Sequence, residues 1–264
     1  MNRSPVIVTL VTGLTVQAAG VAQQVRTASE YYQAGSKAFV DQRFDAAIDA
    51  LNRSLALEPK QLAAVRLLGL TYQLAGQLDQ AELQFQNARR LAPKDVEAWF
   101  YLGRLYYVRN FFDKALPALQ TALKYGPDDA RIRECLALTL EATGDWTGAE
   151  REYQQAMRLP SKQPGTVALN YGAMLLKVNR PVESEPFLVK AAGLMPAFWQ
   201  ARFELAKLYC QTERFEAALR ELKAALETSP KPEEAARTHG LMAVAYGRLG
   251  RYEEARLAAE AAAK

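Results

Sequence analysis

From residue 28 onward, apolar residues recur at helical spacing in blocks broken by short polar or glycine-bearing turns. Between Val96 and Pro127, Trp99, Leu102, Gly103 and Tyr106 mark one face of a first helix. Ala115, Leu119 and Ala122 mark one face of a second, and Pro127 closes the block, because proline cannot continue a helix. The block repeats. Pro59, Pro93, Pro127, Pro196 and Pro230 stand 34, 34, 69 and 34 residues apart, a period that predicts a stack of helix–turn–helix units.

The copies superpose residue by residue. The unit ending at Pro93 has Leu68, Gly69 and Tyr72, then Ala81, Phe85 and Ala88; the one ending at Pro59 has Tyr31, Gly35, Ala47 and Leu51. A fourth unit carries Leu136, Ala137, Ala149, Tyr153 and Ala156, with Pro160 one residue early. A fifth carries Tyr171, Gly172, Leu188, Ala191 and Pro196. One inserted residue accounts for the doubled interval. A sixth shows Leu205, Ala206, Tyr209, Ala218, Leu222 and Ala225, and a seventh Met242, Ala243, Tyr246, Ala255, Ala259 and Ala262. Units therefore begin near 28, 62, 96, 130, 165, 199 and 236 and fill residues 28 to 264.

This pattern resembles the tetratricopeptide repeat, W-x2-L-G-x2-Y followed by A-x3-F, A and P, almost letter for letter in the third unit. Each motif position has a packing reason. A small residue at position 8 is expected to face the small one at position 20 so that two antiparallel helices approach closely. Larger residues at positions 4, 7, 11 and 24 fill the remaining space. Gly76, Gly144 and Gly250 at position 15 suit a left-handed helix end. Pro117 and Pro186, inside second helices, are expected to bend them. One unit alone buries too little apolar surface to offset its ordering entropy, so the seven form one domain. The resemblance implies an all-α protein, an α-solenoid wound as a right-handed superhelix with a concave inner face.

Residues 1 to 22 lie outside the repeat. Arg3 precedes an apolar run from Val6 to Val16, and small residues follow from Ala18 to Ala22. This reads as a secretory signal peptide cleaved after Gly20 or Ala22, since Thr9, Thr12, Thr15 and Gln17 interrupt a run too short for a membrane span of about 20 residues. An uncleaved anchor and an ordinary leading helix are the alternatives. With no cysteine after the run to take a lipid, the expected location is periplasmic or secreted, with a cytoplasmic or membrane-anchored protein as the other reading.

Chemistry has few members to recruit. The chain has one histidine, His239, at a packing position, and two cysteines. Cys135 and Cys210 fall two units apart, roughly 20 Å by helix spacing, whereas a disulfide needs Cα atoms within about 7 Å. With no phosphate loop and no nucleophile elbow, neither an enzyme nor a cofactor is expected.

In the family, positions 2, 5, 9, 12 and 13 of the first helix line the concave surface. Those positions hold Arg66, Arg104, Arg131, Lys177, Lys207, Arg237 and Arg248 against Glu97, Glu134 and Glu141. That excess of basic residues predicts attraction for acidic ligands. Tyr32, Phe39, Phe100, Tyr107 and Phe203 are interleaved with them, and aromatic anchors beside arginine suit peptide recognition. The expected partner-binding residues are Tyr32, Arg66, Phe100, Arg104 and Tyr107, extended by Arg131 and Lys207. The family's carboxylate clamp is absent: Asn170 has a suitable position, but Glu134 and Leu138 stand where Lys and Asn are required. A sequence pI near 9.0 raises nucleic acid, which a short basic track without stacking platforms does not support.

The expected function is thus a scaffold or adaptor for a partner protein or an acidic or aromatic-containing peptide. Two alternatives remain. A final unit with no polar capping helix suggests self-assembly through the C-terminal end. Recognition of substrate for an enzyme acting in trans is the other.

Overall fold

The computed structural model describes residues 27–228 and 230–263. The expected signal peptide lies outside them. Among the described residues are fourteen α-helices and no strand, arranged as seven antiparallel hairpins: α1 (Ala28–Val40) with α2 (Phe44–Leu57), α3 (Leu62–Leu74) with α4 (Leu78–Leu91), α5 (Val96–Val108) with α6 (Phe112–Tyr125), α7 (Ala130–Ala142) with α8 (Trp146–Arg158), α9 (Pro164–Lys177) with α10 (Pro181–Leu194), α11 (Trp199–Gln211) with α12 (Phe215–Glu227), and α13 (Pro232–Arg248) with α14 (Tyr252–Ala262).

Helix starts are written in the sequence. Thr27 and Glu30 form a reciprocal capping box, Glu30 N–H donating to the threonine hydroxyl at 3.2 Å and Thr27 N–H to the glutamate at 2.7 Å. Asp95 accepts from the Ala98 N–H at 2.8 Å, and Asp129 from that of Arg131 at 2.9 Å. Each satisfies a donor that the first helical turn leaves without a partner.

Helix ends are more uniform than the glycines foretold. Gly76, Gly144 and Gly250 have positive φ, and so do Gln42, Asn110, Asn179 and Glu213, at φ 56°, 59°, 60° and 59°. These seven all occupy position 15. The next residue in each hairpin donates its N–H to a carbonyl five residues back: Arg43 to Ala38, Gln77 to Tyr72, Phe111 to Tyr106, Asp145 to Leu140, Arg180 to Leu175, Arg214 to Tyr209 and Arg251 to Tyr246. This is the six-to-one bond of a Schellman turn.

Inside the hairpin the close contact is not the expected pairing of small residues alone. A Cβ on Gly35, Gly103 or Gly172 would stand 2.7 Å from a side-chain carbon of Leu51, Leu119 or Leu188, and one on Gly69 would stand 2.5 Å from Phe85. The large residue at position 24 therefore lies across the glycine. Position 20 meets the same stretch of backbone, as the Ser184 hydroxyl shows by donating to the Gly172 carbonyl at 2.7 Å. α6 and α10 each run as one helix through Pro117 and Pro186.

Between hairpins, odd-numbered helices touch the next odd-numbered helix, while even-numbered helices do not touch each other. The odd helices consequently line the inner side of the arc. Arginines near the turns tie four of the hairpins to the outer helix of the one before: Arg109 to Asp79 and Glu82, Arg180 to Glu150, Arg214 to Glu185, and Arg251 to Glu216. A second set of donors at position 4 secures the linkers. The Trp99 indole donates to the Pro93 carbonyl at 2.8 Å, the Arg133 guanidinium to Pro127 at 2.8 Å, and that of Arg202 to Pro196 at 3.0 Å. Both cysteines are free thiols, and burial pushes that of Cys135 up to about 12.

Two predictions come from this framework. Gln42 and Glu213 hold left-handed conformations that cost L-residues about 1–2 kcal/mol, partly offset in glycine by its greater unfolded-state entropy. Gln42→Gly and Glu213→Gly are each expected to stabilise the protein by about 0.5–1 kcal/mol, read as a raised urea midpoint. Hydrogen bonds from Arg180 and Arg214 hold the Glu150 and Glu185 carboxyls below their ordinary values. Folded values below unfolded ones give stability that is complete above the ordinary carboxylate value and lost as pH falls through the folded value. Glu150→Gln should therefore narrow the stability difference between neutral and acidic pH in urea melts.

Candidate functional site

The inner face rises from α1, α3, α5 and α7, and the residues expected to bind a partner there have different surroundings. Phe100 is only 4% exposed. The guanidiniums of Arg104 and Arg131 lie over its ring, 5.7 and 5.1 Å from the centroid. The two cations therefore roof the aromatic, a stacking that the ring's negative face favours. Tyr32 is half-buried against Leu51 and Leu68. Tyr107 is half-buried in the neighbouring cluster, its ring centroid 5.9 Å from that of Phe112, and burial raises its hydroxyl.

Most of the basic residues are already paired. Arg66 donates to both oxygens of Asp95, at 3.0 and 3.2 Å, reaching from repeat two to the cap of α5. Arg131 donates to Asp129 and to Glu97, each at 2.6 Å. Lys177 pairs with Glu141, and Lys207, in repeat six, with Glu204 at 2.8 Å. Asp95, Asp129 and Glu204 stand at positions 34 and 6, outside the five positions from which the sequence-based charge balance was drawn, so the inner face is less basic than that balance. Of the two basic residues at those five positions in repeats one to three, Arg66 and Arg104, it is Arg104 that has no ion pair among the described residues. Its Nε is buried with no hydrogen-bond partner, as are Gln73 Oε1 and Glu97 Oε2 on the same face.

The structure therefore gathers Phe100, Arg104 and Arg131 into one cluster, with Arg66 and Tyr107 on the flanking turns. Tyr32 lies in repeat one and Lys207 three repeats beyond the cluster. Where a carboxylate clamp would need a cation, Glu134 accepts hydrogen bonds from Asn170 at 2.9 Å and Thr166 at 3.4 Å. Burial raises its pKa.

Two features escaped the sequence reading. The aspartates that hold Arg66 and Arg131 carry a legible signal, an acidic residue just before a helix. Val40, Leu74 and Val108, all at position 13, are 75%, 58% and 53% exposed; a search for charges and aromatics passes over them. At the other end, α14 leaves Tyr252 and Leu257 exposed, with Arg256 paired to Glu253 and Glu260. Among the described residues no cluster of His, Cys, Asp or Glu could hold a metal ion, and no helix is long and apolar enough to cross a membrane.

Hairpins of one design, stacked with their first helices inward, define an α-solenoid whose available surface is a long curved face. Models of the tetratricopeptide repeat match residues 71–110 and 102–164, 175–243, and 236–264. The chain belongs to the tetratricopeptide repeat family and is a scaffold for protein–protein interaction.

Solved structures of similar fold include PilW, described as a widely conserved type IV pilus biogenesis factor, at 20% identity and a TM-score of 0.69, covering 75% of this chain and 90% of that one. PilF of Pseudomonas aeruginosa aligns at 18% identity and 0.67, over 75% and 88% of the two chains. A tetratricopeptide repeat protein of Parabacteroides merdae aligns at 18% and 0.66, over 89% and 91%. A sequence search of curated proteins gave no match.

Burial separates two kinds of residue in the cluster. Phe100→Ala is expected to cost about 3 kcal/mol or more, as for other buried phenylalanines, whereas Arg104→Ala should cost under about 1 kcal/mol. Urea unfolding followed by circular dichroism checks both.

Proposed function

We propose that the protein is a non-enzymatic adaptor that holds a carboxylate-bearing segment of a partner protein against the inner face of its first repeats. The observation that carries this reading is Arg104, a half-buried cation stacked on Phe100 and Tyr101 that forms no ion pair among the described residues. An arginine so placed gains most from an incoming carboxylate, because its aromatic floor excludes water and its planar fork is already oriented.

The other members of the proposed site follow from their surroundings. Arg66 and Arg131 border Arg104 and exchange part of their internal pairing for the ligand. Tyr32, Phe100 and Tyr107 form the floor, and Lys207 extends the face toward repeat six. The bacterial envelope is the proposed location. The signal-like residues 1–22 support it, and so does the likeness in fold to PilF and PilW.

A second reading, stacking of copies through the C-terminal hairpin, is favoured by the exposed Tyr252 and Leu257. The ion pairs of Arg256 on the same helix oppose it. Mass rising with concentration in sedimentation, and abolished by Leu257→Glu, would move the assignment there.

The adaptor reading is tested by capture of envelope proteins at low and high salt with the full chain and with Arg104→Ala. The expected result is a partner whose recovery falls with salt and drops at least tenfold for the variant. Identical recoveries would sink the reading.

A further inference from the structure

The inner face carries a second pattern beside its charges. Val40, Leu74 and Val108 are the last residues of α1, α3 and α5. Each is more than half exposed, at 75%, 58% and 53%. A single exposed valine or leucine is ordinary, but three at the same position of consecutive repeats make an apolar column. The column belongs to these repeats alone. The corresponding residues of repeats four to seven are Ala142, Lys177, Gln211 and Arg248.

Arg104 lies one helical turn before Val108, on the same face of α5. The unpaired cation and the apolar column are thus neighbours. Beside the column, Gln73 holds a buried amide oxygen with no hydrogen-bond partner.

We propose that repeats one to three receive an amphipathic α-helix of the partner protein. Its apolar stripe lies along Val40, Leu74 and Val108, and its acidic flank sets a carboxylate on Arg104. This rests on the inner-face reading given above and specifies the partner's chemistry.

Spacing selects the helix. Neighbouring inner helices stand roughly 10 Å apart, and residues seven apart on an α-helix rise about 10.5 Å on one face. In an extended strand, residues three apart span a similar distance but point to opposite sides. A polyproline helix repeats near 9.3 Å but is too slender to cover both the column and Arg104, a span suited to a helix about 10 Å across.

The test uses the full chain and a fluorescein-labelled helical peptide of about 18 residues, roughly 27 Å long. The peptide has leucine at every seventh position, glutamate three residues after each leucine, and an alanine–glutamine background. Anisotropy titrations compare it with versions carrying glutamine for glutamate or serine for leucine, with oligoglutamate, and with a proline-rich peptide.

The helical probe is expected to bind most tightly and to lose at least tenfold in affinity with Leu74→Ser/Val108→Ser and with Arg104→Ala. The glutamine version should bind the original protein and Arg104→Ala equally. Unchanged melting curves establish that the variants are folded, as the exposure of the column leads one to expect.

Arg104-dependent binding of oligoglutamate or of the proline-rich peptide, indifferent to Leu74→Ser/Val108→Ser, overturns the amphipathic helix and leaves inner-face binding standing. Failure of every probe to show any Arg104 dependence overturns both.

Discussion

Every repeat depends on reversing the chain within three residues so that two helices return side by side. That reversal needs one residue in the left-handed region, and all seven hairpins supply it at the same position. Its bond from the next N–H to the carbonyl five residues back closes the first helix and aims the second. Once aimed, the second helix drops its position-24 side chain across the position-8 residue of the first. In four repeats that residue is a glycine with no room for a Cβ beside the present neighbour. The hairpin is therefore a nearly rigid part, and what varies from repeat to repeat is how parts are joined.

The joints use charge as well as apolar contact. Outer arginines bind the carboxylates of the preceding hairpin, and two of them lie over a tyrosine as well, Arg214 on Tyr209 and Arg251 on Tyr246. Exposed pairs of this kind contribute little each, about 0–1 kcal/mol. Their recurrence at equivalent turns favours one register of stacking over its neighbours. Arg66–Asp95 and Arg131–Glu97 act likewise on the inner side, each joining an arginine to a carboxylate of the neighbouring repeat. Much of the basic character of the inner face is thus engaged in holding the arc together.

This explains what was and was not legible in the chain. Proline spacing and small-residue periodicity reveal the hairpins because they follow from local geometry that each repeat must satisfy. The turns at Gln42 and Glu213 were hidden, since glycine and, less strongly, asparagine are the residues whose identity announces a left-handed conformation. Counting charges at inner positions missed their partners for a related reason. Asp95 lies far along the chain from Arg66 and only the fold brings them together, while Asp129 stands just before the inner position that Arg131 holds and so outside the positions counted. Phe100 was read as an anchor from its position, yet two guanidiniums cover it. Sequence position places a residue on a face, whereas the neighbouring repeat decides whether it stays open.

The same reasoning shows where specificity can reside in such an array. Residues used in turns, in hairpin contacts and in joints are constrained by the stack, and changing them alters stability before it alters recognition. What remains free is a short set of inner side chains that no neighbour needs. In repeats one to three these are the position-13 column and the unpaired Arg104. They sit on the rigid hairpins and so present a fixed spacing to whatever approaches. A partner whose own periodicity matches that spacing gains contacts from successive repeats without reordering the scaffold, and a partner of another period gains only the first.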